Sequence, residues 1–261
     1  MNNQTTTLVS CYYIFPSKHS HDKYNIWIHY LLENIKNNII IFTSSDLVKY
    51  FEDIKNINKD LKLKIIIKEF NDLDILKKYN LEFWVNQYKL DPTPTIRTKE
   101  CFIIWNSKMN FIKEAIEINP FNSDKFIWND IGSMRDLDYS KKINKYPIYN
   151  NISNDKLDII LVKKYDKEQY FFQNETHLSG AIFGTSKHLF LKIIDLYYKY
   201  FDLYIKNNLF IGCDQQILST LYMNHKDLFN LIIPDNNSIH NNSIDNNIID
   251  KWFYLYHHYT L

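Results

Sequence analysis

Apolar runs alternate with helix-like segments through the N-terminal part of the chain, and this order constrains the fold more than any other feature. Residues 7–15 and 38–43 are apolar and rich in strand formers, and residues 61–70 form a third predicted strand. Between them, residues 24–35 carry apolar side chains at every third or fourth position, and Ser45 with Asp46 can cap a helix that continues to Ile54. This β-α-β-α-β order predicts a mainly parallel, helix-flanked sheet of the Rossmann type.

The rest of the chain continues the pattern without a linker. Residues 71–97 are less regular, and a long predicted helix over residues 98–118 follows them. A predicted strand over residues 125–129 runs directly into Asp130, and ligands of open α/β sheets collect at such strand ends. The remaining predicted elements are strands at 157–163, 180–183 and 228–233, helices at 186–206 and 214–223, and an asparagine-rich loop at 235–247. We therefore expect one α/β domain over residues 1–261.

Charge and cysteine content exclude several classes of protein. The 261 residues include 31 Lys and Arg against 30 Asp and Glu, a formal net charge of +1 that would not recruit nucleic acid. Cys11, Cys101 and Cys213 are an odd number without metal-type spacing, which favours a reducing, cytoplasmic compartment. We find neither a signal-peptide pattern nor an apolar stretch long enough for a transmembrane segment.

Glycine is rare, and its few positions are grouped. The chain has four glycines, whereas ordinary usage would give about 18. They fall in three segments, residues 127–133, 179–184 and 211–216, and two of these segments place Asp130 or Asp214 within two residues of a glycine. Glycine is needed where φ is positive or where a ligand approaches the backbone closely. The grouping predicts a binding site, and three ordinary turns are the alternative.

The usual phosphate-binding loops are absent from the sequence. Neither Gly-x-Gly-x-x-Gly nor Gly-x-x-x-x-Gly-Lys-Ser/Thr occurs. A Rossmann-like chain without them needs another means of holding a phosphate. A carboxylate at a strand end, such as Asp130, can do so by binding a divalent cation that bridges to a diphosphate.

Several short motifs, taken in order, resemble those of the HtrL/YibB (WlaTC) family. They are Thr7-Leu8-Val9-Ser10, Asn106-Ser107-Lys108, Asn119-Pro120-Phe121, Trp128-Asn129-Asp130-Ile131-Gly132, Gly180-Ala181-Ile182-Phe183-Gly184 and Asp214-Gln215. The resemblance implies a glycosyltransferase of GT-A fold with a nucleotide-sugar donor, best guessed as a UDP type. It also implies a division of the single domain into a nucleotide-binding half, about residues 1–130, and an acceptor-binding half, about residues 131–261.

A divalent cation, Mn²⁺ or Mg²⁺, is also implied by the resemblance. GT-A enzymes typically carry Asp-x-Asp at the strand end, but here Gly132 stands in place of the second acid. Asp130 is the expected metal ligand, and His257 and His258 are candidates for additional ligands. The alternative for this histidine pair is a solvated surface.

Four residues are assigned to donor binding. The resemblance places a donor-contacting lysine near Lys108, and Arg135 could grip a diphosphate with its planar fork. Gly132 completes the strand-end motif, and Tyr24 could stack on a nucleobase. The alternatives are a solvated Lys108, a surface ion pair of Arg135 with a neighbouring aspartate, and core packing of Tyr24.

The remaining assignments concern the acceptor and the catalytic base. Gly180 and Gly184 flank a short strand and would let a sugar approach the backbone, with Gln215 beside them. Asp214 is expected to deprotonate the acceptor hydroxyl, and Asp130 is assigned to catalysis with it. Asp214 could instead cap the helix that it begins, which would lower its pKa and weaken it as a base.

Together these assignments predict transfer of a sugar from a nucleotide sugar to a hydroxyl of a glycan or glycoconjugate, assisted by a divalent cation. A lipid-linked acceptor would bring the protein to a membrane surface. One alternative is a non-catalytic carbohydrate-binding protein on the same scaffold, which the missing second acid favours. Another is a sugar nucleotidyltransferase, although such enzymes carry a glycine-rich loop after the first strand and residues 17–21 contain no glycine.

Overall fold

A mixed sheet of seven strands forms the centre of the protein in the computed structural model, which describes residues 4–93, 97–173, 175–235 and 250–261. The strands lie in the order β3-β2-β1-β4-β6-β5-β7. Their bounds are β1 Thr6–Tyr12, β2 Asn38–Thr43, β3 Lys62–Ile67, β4 Lys125–Asn129, β5 Leu157–Leu161, β6 Leu178–Ser186 and β7 Phe229–Ile232. The loop predicted at residues 235–247 lies outside the described residues from residue 236 onward.

Six of these strands run in one direction. β1 pairs in parallel with β2 and with β4, β2 pairs in parallel with β3, and β5 pairs in parallel with β7. β6 lies between β4 and β5 and is antiparallel to both. The predicted α/β, Rossmann-like fold with a mixed, mainly parallel sheet is therefore confirmed.

Helices cover both faces of the sheet. They are α1 His21–Leu32, α2 Val48–Ile57, α3 Asp74–Lys78, α4 Leu81–Lys89, α5 Lys99–Ile118, α6 Leu137–Ser140, α7 Lys187–Lys206, α8 Asp214–Asn224 and α9 Leu255–His258. Alternate residues of β1 enter the two layers: Val9 and Cys11 join the core that contains α5, α7 and α8, whereas Leu8 and Tyr12 join the core that contains α1 and α2. None of the described helices combines the length and apolar character needed to cross a bilayer.

The stretch predicted to be irregular, residues 71–97, contains two short helices, α3 and α4. The side chain of Asn80 caps α4 by accepting a hydrogen bond from the backbone N–H of Phe83 at 3.0 Å. Trp84 is fully buried, and its indole N–H donates to the carbonyl of Tyr79. A cap and one buried aromatic residue are enough to define α4 in its tertiary setting, although its sequence shows little periodicity.

Asn119 ends α5 and leads the chain into β4. It adopts a left-handed conformation with φ 36° and ψ 58°, and its side chain both accepts from the N–H of Ser123 and donates to the carbonyl of Ser123. Asparagine tolerates this region better than other residues with a Cβ. The Asn119-Pro120-Phe121 segment thus ends the helix where the sequence predicts, and it fixes the start of the strand that leads to Asp130.

We expect Asn119→Ala to lower the free energy of unfolding by about 2 kcal/mol, because it loses the side-chain hydrogen bonds and strains the left-handed backbone. Asn119→Gly should cost about half as much, since glycine adopts this conformation freely. Urea unfolding at neutral pH measures both changes. Equal losses in the two variants would show that the left-handed conformation contributes nothing.

Candidate functional site

Hydrogen bonds centred on Asn129 hold the end of β4. Ser10 donates to the carbonyl of Asn129 at 2.7 Å, and the Asn129 amide donates to the Tyr256 hydroxyl at 2.9 Å. Tyr146 donates in turn to the Asn129 side-chain oxygen at 2.9 Å. Asn129 is fully buried, so these bonds fix the point at which the chain leaves the sheet. Asp130 follows directly and is placed as firmly as the strand itself.

A cleft with a volume of about 590 Å³ opens at the carboxyl ends of β1 and β4. The direction in which successive strands are added reverses here: β2 and β3 lie on one side of β1, and the next strand in the chain, β4, lies on the other side. Eight of the residues predicted for the site line it: Tyr24, Lys108, Asp130, Gly132, Arg135, Gly180, Asp214 and Gln215. The structure thus brings together residues that are far apart in the sequence, while their individual roles stay predictions.

Lys108 lies at the floor of the cleft between two carboxylates. Its Nζ is 3.1 Å from Asp130 Oδ1 and 3.1 Å from Asp214 Oδ2, and it donates to the Gly180 carbonyl at 2.7 Å. The Lys108 side chain is only 3% exposed. Burial alone would lower the pKa of Lys108, but the charges of Asp130 and Asp214 outweigh it and raise the pKa above the usual value. Lys108 is therefore a charged, buried lysine and not a solvated one.

Asp214 is the first residue of α8, but other residues cap this helix. Cys213 is the N-cap residue, and the side-chain oxygen of Gln216 accepts from the N–H groups of Gly212 and Cys213. The Asp214 carboxylate points instead toward Lys108. Burial raises the pKa of Asp214 to about 6, against the opposing effect of the lysine charge. The expected competition between capping and basicity is thus avoided, and Asp214 has the pKa of a usable base near neutral pH.

Trp128 contributes a contact that sequence reasoning missed. Its indole N–H donates to Asp130 Oδ1 at 2.7 Å, and its ring lies 5.4 Å from Lys108 Nζ. Asp130 Oδ1 thus contacts both the Trp128 N–H and the Lys108 ammonium group. The Asp130 side chain as a whole remains 36% exposed. Residues two apart in an extended chain point to the same side, so the spacing of Trp128 and Asp130 was a signal available in the sequence.

Arg135 forms part of the cleft wall between two aromatic rings. Its guanidinium carbon lies 4.4 Å from the centre of the Trp27 ring and 4.8 Å from that of Phe253, and its Nε donates to the carbonyl of Gly132. Cation–π contacts with both rings hold the planar group in the cleft wall, and its remaining N–H groups are donors for a ligand. Phe253 carried no sequence signal, because it comes from the far end of the chain and joins Arg135 only through the fold.

Two of the cleft glycines are explained by side chains that pack against them. None of the four glycines, all within the described residues, has a positive φ. A Cβ on Gly180 would lie 2.5 Å from Asp214 Oδ2, and a Cβ on Gly132 would lie 2.6 Å from the Tyr24 ring. Both contacts are too short for any real Cβ. The absence of a side chain at Gly180 therefore allows the Asp214 carboxylate to reach Lys108. The sequence predicted a different reason for glycine at this position, namely the approach of a sugar to the backbone.

Three predicted site residues do not line the cleft among the described residues. Gly184 packs in β6, where a Cβ would lie 2.7 Å from the Ile127 side chain and 3.1 Å from the Tyr259 hydroxyl. His257 and His258 lie in α9; the His257 ring packs beside that of Tyr254, and burial lowers the pKa of His258. None of the three is among the residues that line the cleft.

The chain is also similar to known proteins. The family model described as "Bacterial protein of unknown function (HtrL_YibB)" matches residues 13–246. The chain belongs to the HtrL/YibB family. It is 27% identical over 217 residues to Protein HtrL of Escherichia coli strain K12, a match that covers 77% of this chain and 73% of that protein. The predicted family is therefore confirmed, and the family description leaves the activity open.

The packing of Asp214 on Gly180 makes a testable prediction about stability. We expect Gly180→Ala to lower the free energy of unfolding by about 1–3 kcal/mol, because the new methyl group would displace the Asp214 carboxylate. The same change should cost less than about 1 kcal/mol in an Asp214→Ala background, where the carboxylate is absent. Urea unfolding of the four proteins gives the coupling. Additive losses would show that Asp214 does not account for glycine at this position.

Proposed function

We propose that this protein transfers a glycosyl group from a nucleotide sugar to a hydroxyl of a glycan or glycoconjugate. The observation that carries the proposal is the buried Lys108 between Asp130 and Asp214, at the carboxyl ends of β1 and β4, in a cleft of about 590 Å³. Ligand sites of open α/β sheets lie in this position. A cleft of this size suits a small molecule, and its few charged groups converge on one point.

The donor diphosphate would bind between the floor of the cleft and the wall that carries Arg135. The Arg135 guanidinium can donate two N–H groups to phosphate oxygens, and Lys108 at the floor of the cleft offsets part of the negative charge of Asp130 and Asp214. The exposed part of the Asp130 carboxylate would accept hydrogen bonds from hydroxyl groups of the donor. Tyr24, which lines the cleft near Gly132, remains the predicted partner of the nucleobase.

In the proposed reaction, the acceptor oxygen attacks the anomeric carbon of the donor. The bond from that carbon to the diphosphate oxygen breaks, and the nucleoside diphosphate leaves with the bonding electrons. Asp214 takes the proton of the acceptor hydroxyl as the new glycosidic bond forms. Arg135 stabilises the negative charge that develops on the leaving diphosphate, Lys108 offsets part of the negative charge of Asp130 and Asp214, and the cleft positions the two substrates.

The residues around Asp130 do not fit the divalent cation that the sequence predicts. A cation bridging Asp130 and Asp214 would need the space between their oxygens, and Lys108 Nζ lies there, 3.1 Å from each. The predicted histidine ligands are not on the cleft lining. No group of three His, Cys, Asp or Glu residues in the described part of the chain is arranged to hold a metal ion.

Binding of the nucleotide product tests the proposal directly. We expect calorimetry with UDP, GDP, CMP and dTDP to give saturable binding of one nucleotide. Arg135→Ala should weaken it about tenfold or more, because it removes charge-assisted hydrogen bonds to phosphate. Lys141→Ala is the matched control, since Lys141 is an exposed cation paired with Asp138 just after the cleft wall. Absence of binding by all four nucleotides would contradict the transferase proposal and favour a carbohydrate-binding protein.

The pKa of Asp214 predicts the pH dependence of transfer. Because the base must be deprotonated, kcat/KM should rise with pH and reach a plateau with a midpoint of about 6. An unperturbed aspartate would place that midpoint near 4. The initial rate of nucleoside diphosphate release at acceptor concentrations well below KM, measured from about pH 4 to pH 8, distinguishes the two. Asp214→Asn should lower the rate by about 100-fold or more, and an unchanged rate would exclude Asp214 as the base.

A further inference from the structure

We propose that Lys108 takes the place of a divalent cation, so that the cleft binds its nucleoside diphosphate without metal. This inference rests on the proposed function and specifies how the same site holds its ligand. The position between the Asp130 and Asp214 carboxylates, which a bound cation could occupy, holds the ammonium group of the protein itself. It is present whether or not a ligand is bound, because the chain carries it.

The surroundings of Lys108 Nζ resemble a set of cation ligands. Three oxygens face it: the Gly180 carbonyl at 2.7 Å, Asp130 Oδ1 at 3.1 Å and Asp214 Oδ2 at 3.1 Å. The face of the Trp128 ring lies 5.4 Å away on a fourth side. The contact with the Gly180 carbonyl is a hydrogen bond, and the contacts with Asp130 and Asp214 are ion pairs. Asp214 Oδ2 accepts no well-aligned hydrogen bond from the described residues, so its contact with Lys108 is chiefly ionic.

Lys108 is held in this position by the helix that carries it. Asn106, two residues before Lys108, is fully buried. Its side-chain amide donates to the carbonyl of Gly212, which leads into α8. Tyr197 of α7 donates to the Asn106 side-chain oxygen at 2.8 Å. These contacts tie α5 to α7 and to the start of α8. The backbone that carries Lys108 is therefore held against α7 and the start of α8, and the lysine side chain is buried among its three oxygen contacts.

The place where a second metal-binding acid would stand is closed. In the Asp-x-Asp pattern that acid would occupy position 132, but a Cβ on Gly132 would lie 2.6 Å from the ring of Tyr24 and 3.3 Å from that of Trp27. A carboxylate does not fit there unless both rings move. The sequence lacks the second acid, and the aromatic rings of Tyr24 and Trp27 occupy the space in which its side chain would lie.

The first test compares nucleotide binding with and without metal. Calorimetry of the intact chain with UDP, GDP, CMP and dTDP is carried out in excess EDTA and again in millimolar MnCl2. We expect the dissociation constant of the bound nucleotide to agree within about threefold between the two conditions. A constant at least tenfold tighter with Mn²⁺ would overturn the inference and leave the proposed function standing. No binding in either condition would overturn the proposed function and this inference with it.

The second test uses Mn²⁺ alone as the probe, with electron paramagnetic resonance to count free Mn²⁺ during a titration. The wild-type protein should show no saturable binding, and saturable binding by it would contradict the inference. Lys108→Ala should gain one site, because a metal ion can then neutralise the two buried carboxylates. Lys113→Ala, which removes an exposed lysine from the same helix, should behave as wild type.

The wild-type titration decides the question even if Lys108→Ala folds poorly. Thermal unfolding provides a second measure of that variant: Mn²⁺ should raise its midpoint and leave the midpoints of wild type and Lys113→Ala unchanged. A folded Lys108→Ala protein that neither binds Mn²⁺ nor is stabilised by it would show that Lys108 does not occupy a cation position.

Discussion

The ammonium group of Lys108 connects the four elements that form the floor of the cleft. It is carried by α5 and contacts Asp130 after β4, the Gly180 carbonyl in β6 and Asp214 at the start of α8. Each contact depends on a local feature: Asn129 fixes the end of β4, and the absence of a side chain on Gly180 lets Asp214 approach. The geometry of the cleft therefore depends on one buried cation, and the sheet and helices determine where that cation lies.

The sequence predicts the fold well where burial leaves a strong pattern. The bounds predicted for β2 and β4, residues 38–43 and 125–129, match the structure, and α5 begins one residue later than predicted. These segments are long or almost wholly buried, so their apolar runs are unambiguous. The antiparallel direction of β6 and the short helices α3 and α4 were not predicted, since they depend on contacts with distant segments rather than on local periodicity.

The site is predictable only in part, for a related reason. Scarce glycines next to Asp130 and Asp214 correctly pointed to the segments that meet at the cleft. The sequence suggested that these glycines let a ligand approach the backbone. At Gly180 the structure shows instead the close approach of the Asp214 side chain. This contact could not be predicted, because Asp214 lies 34 positions further along the chain and is brought to Gly180 by the fold. Lys108 gave no signal of its own among many lysines. Burial, which distinguishes it, does not appear in composition.

The charges of the cluster do not balance, and this imbalance bears on its role. One ammonium group and two carboxylates leave a net charge of −1, and Asp214 and Lys108 are almost wholly buried. Apolar residues of similar volume often stabilise a protein core as well as buried ions do, so stability alone does not account for such a cluster. Burial, with a smaller contribution from the charge of Asp130, keeps the pKa of Asp214 raised despite the neighbouring lysine. This arrangement supports the proposal that Asp214 accepts a proton near neutral pH.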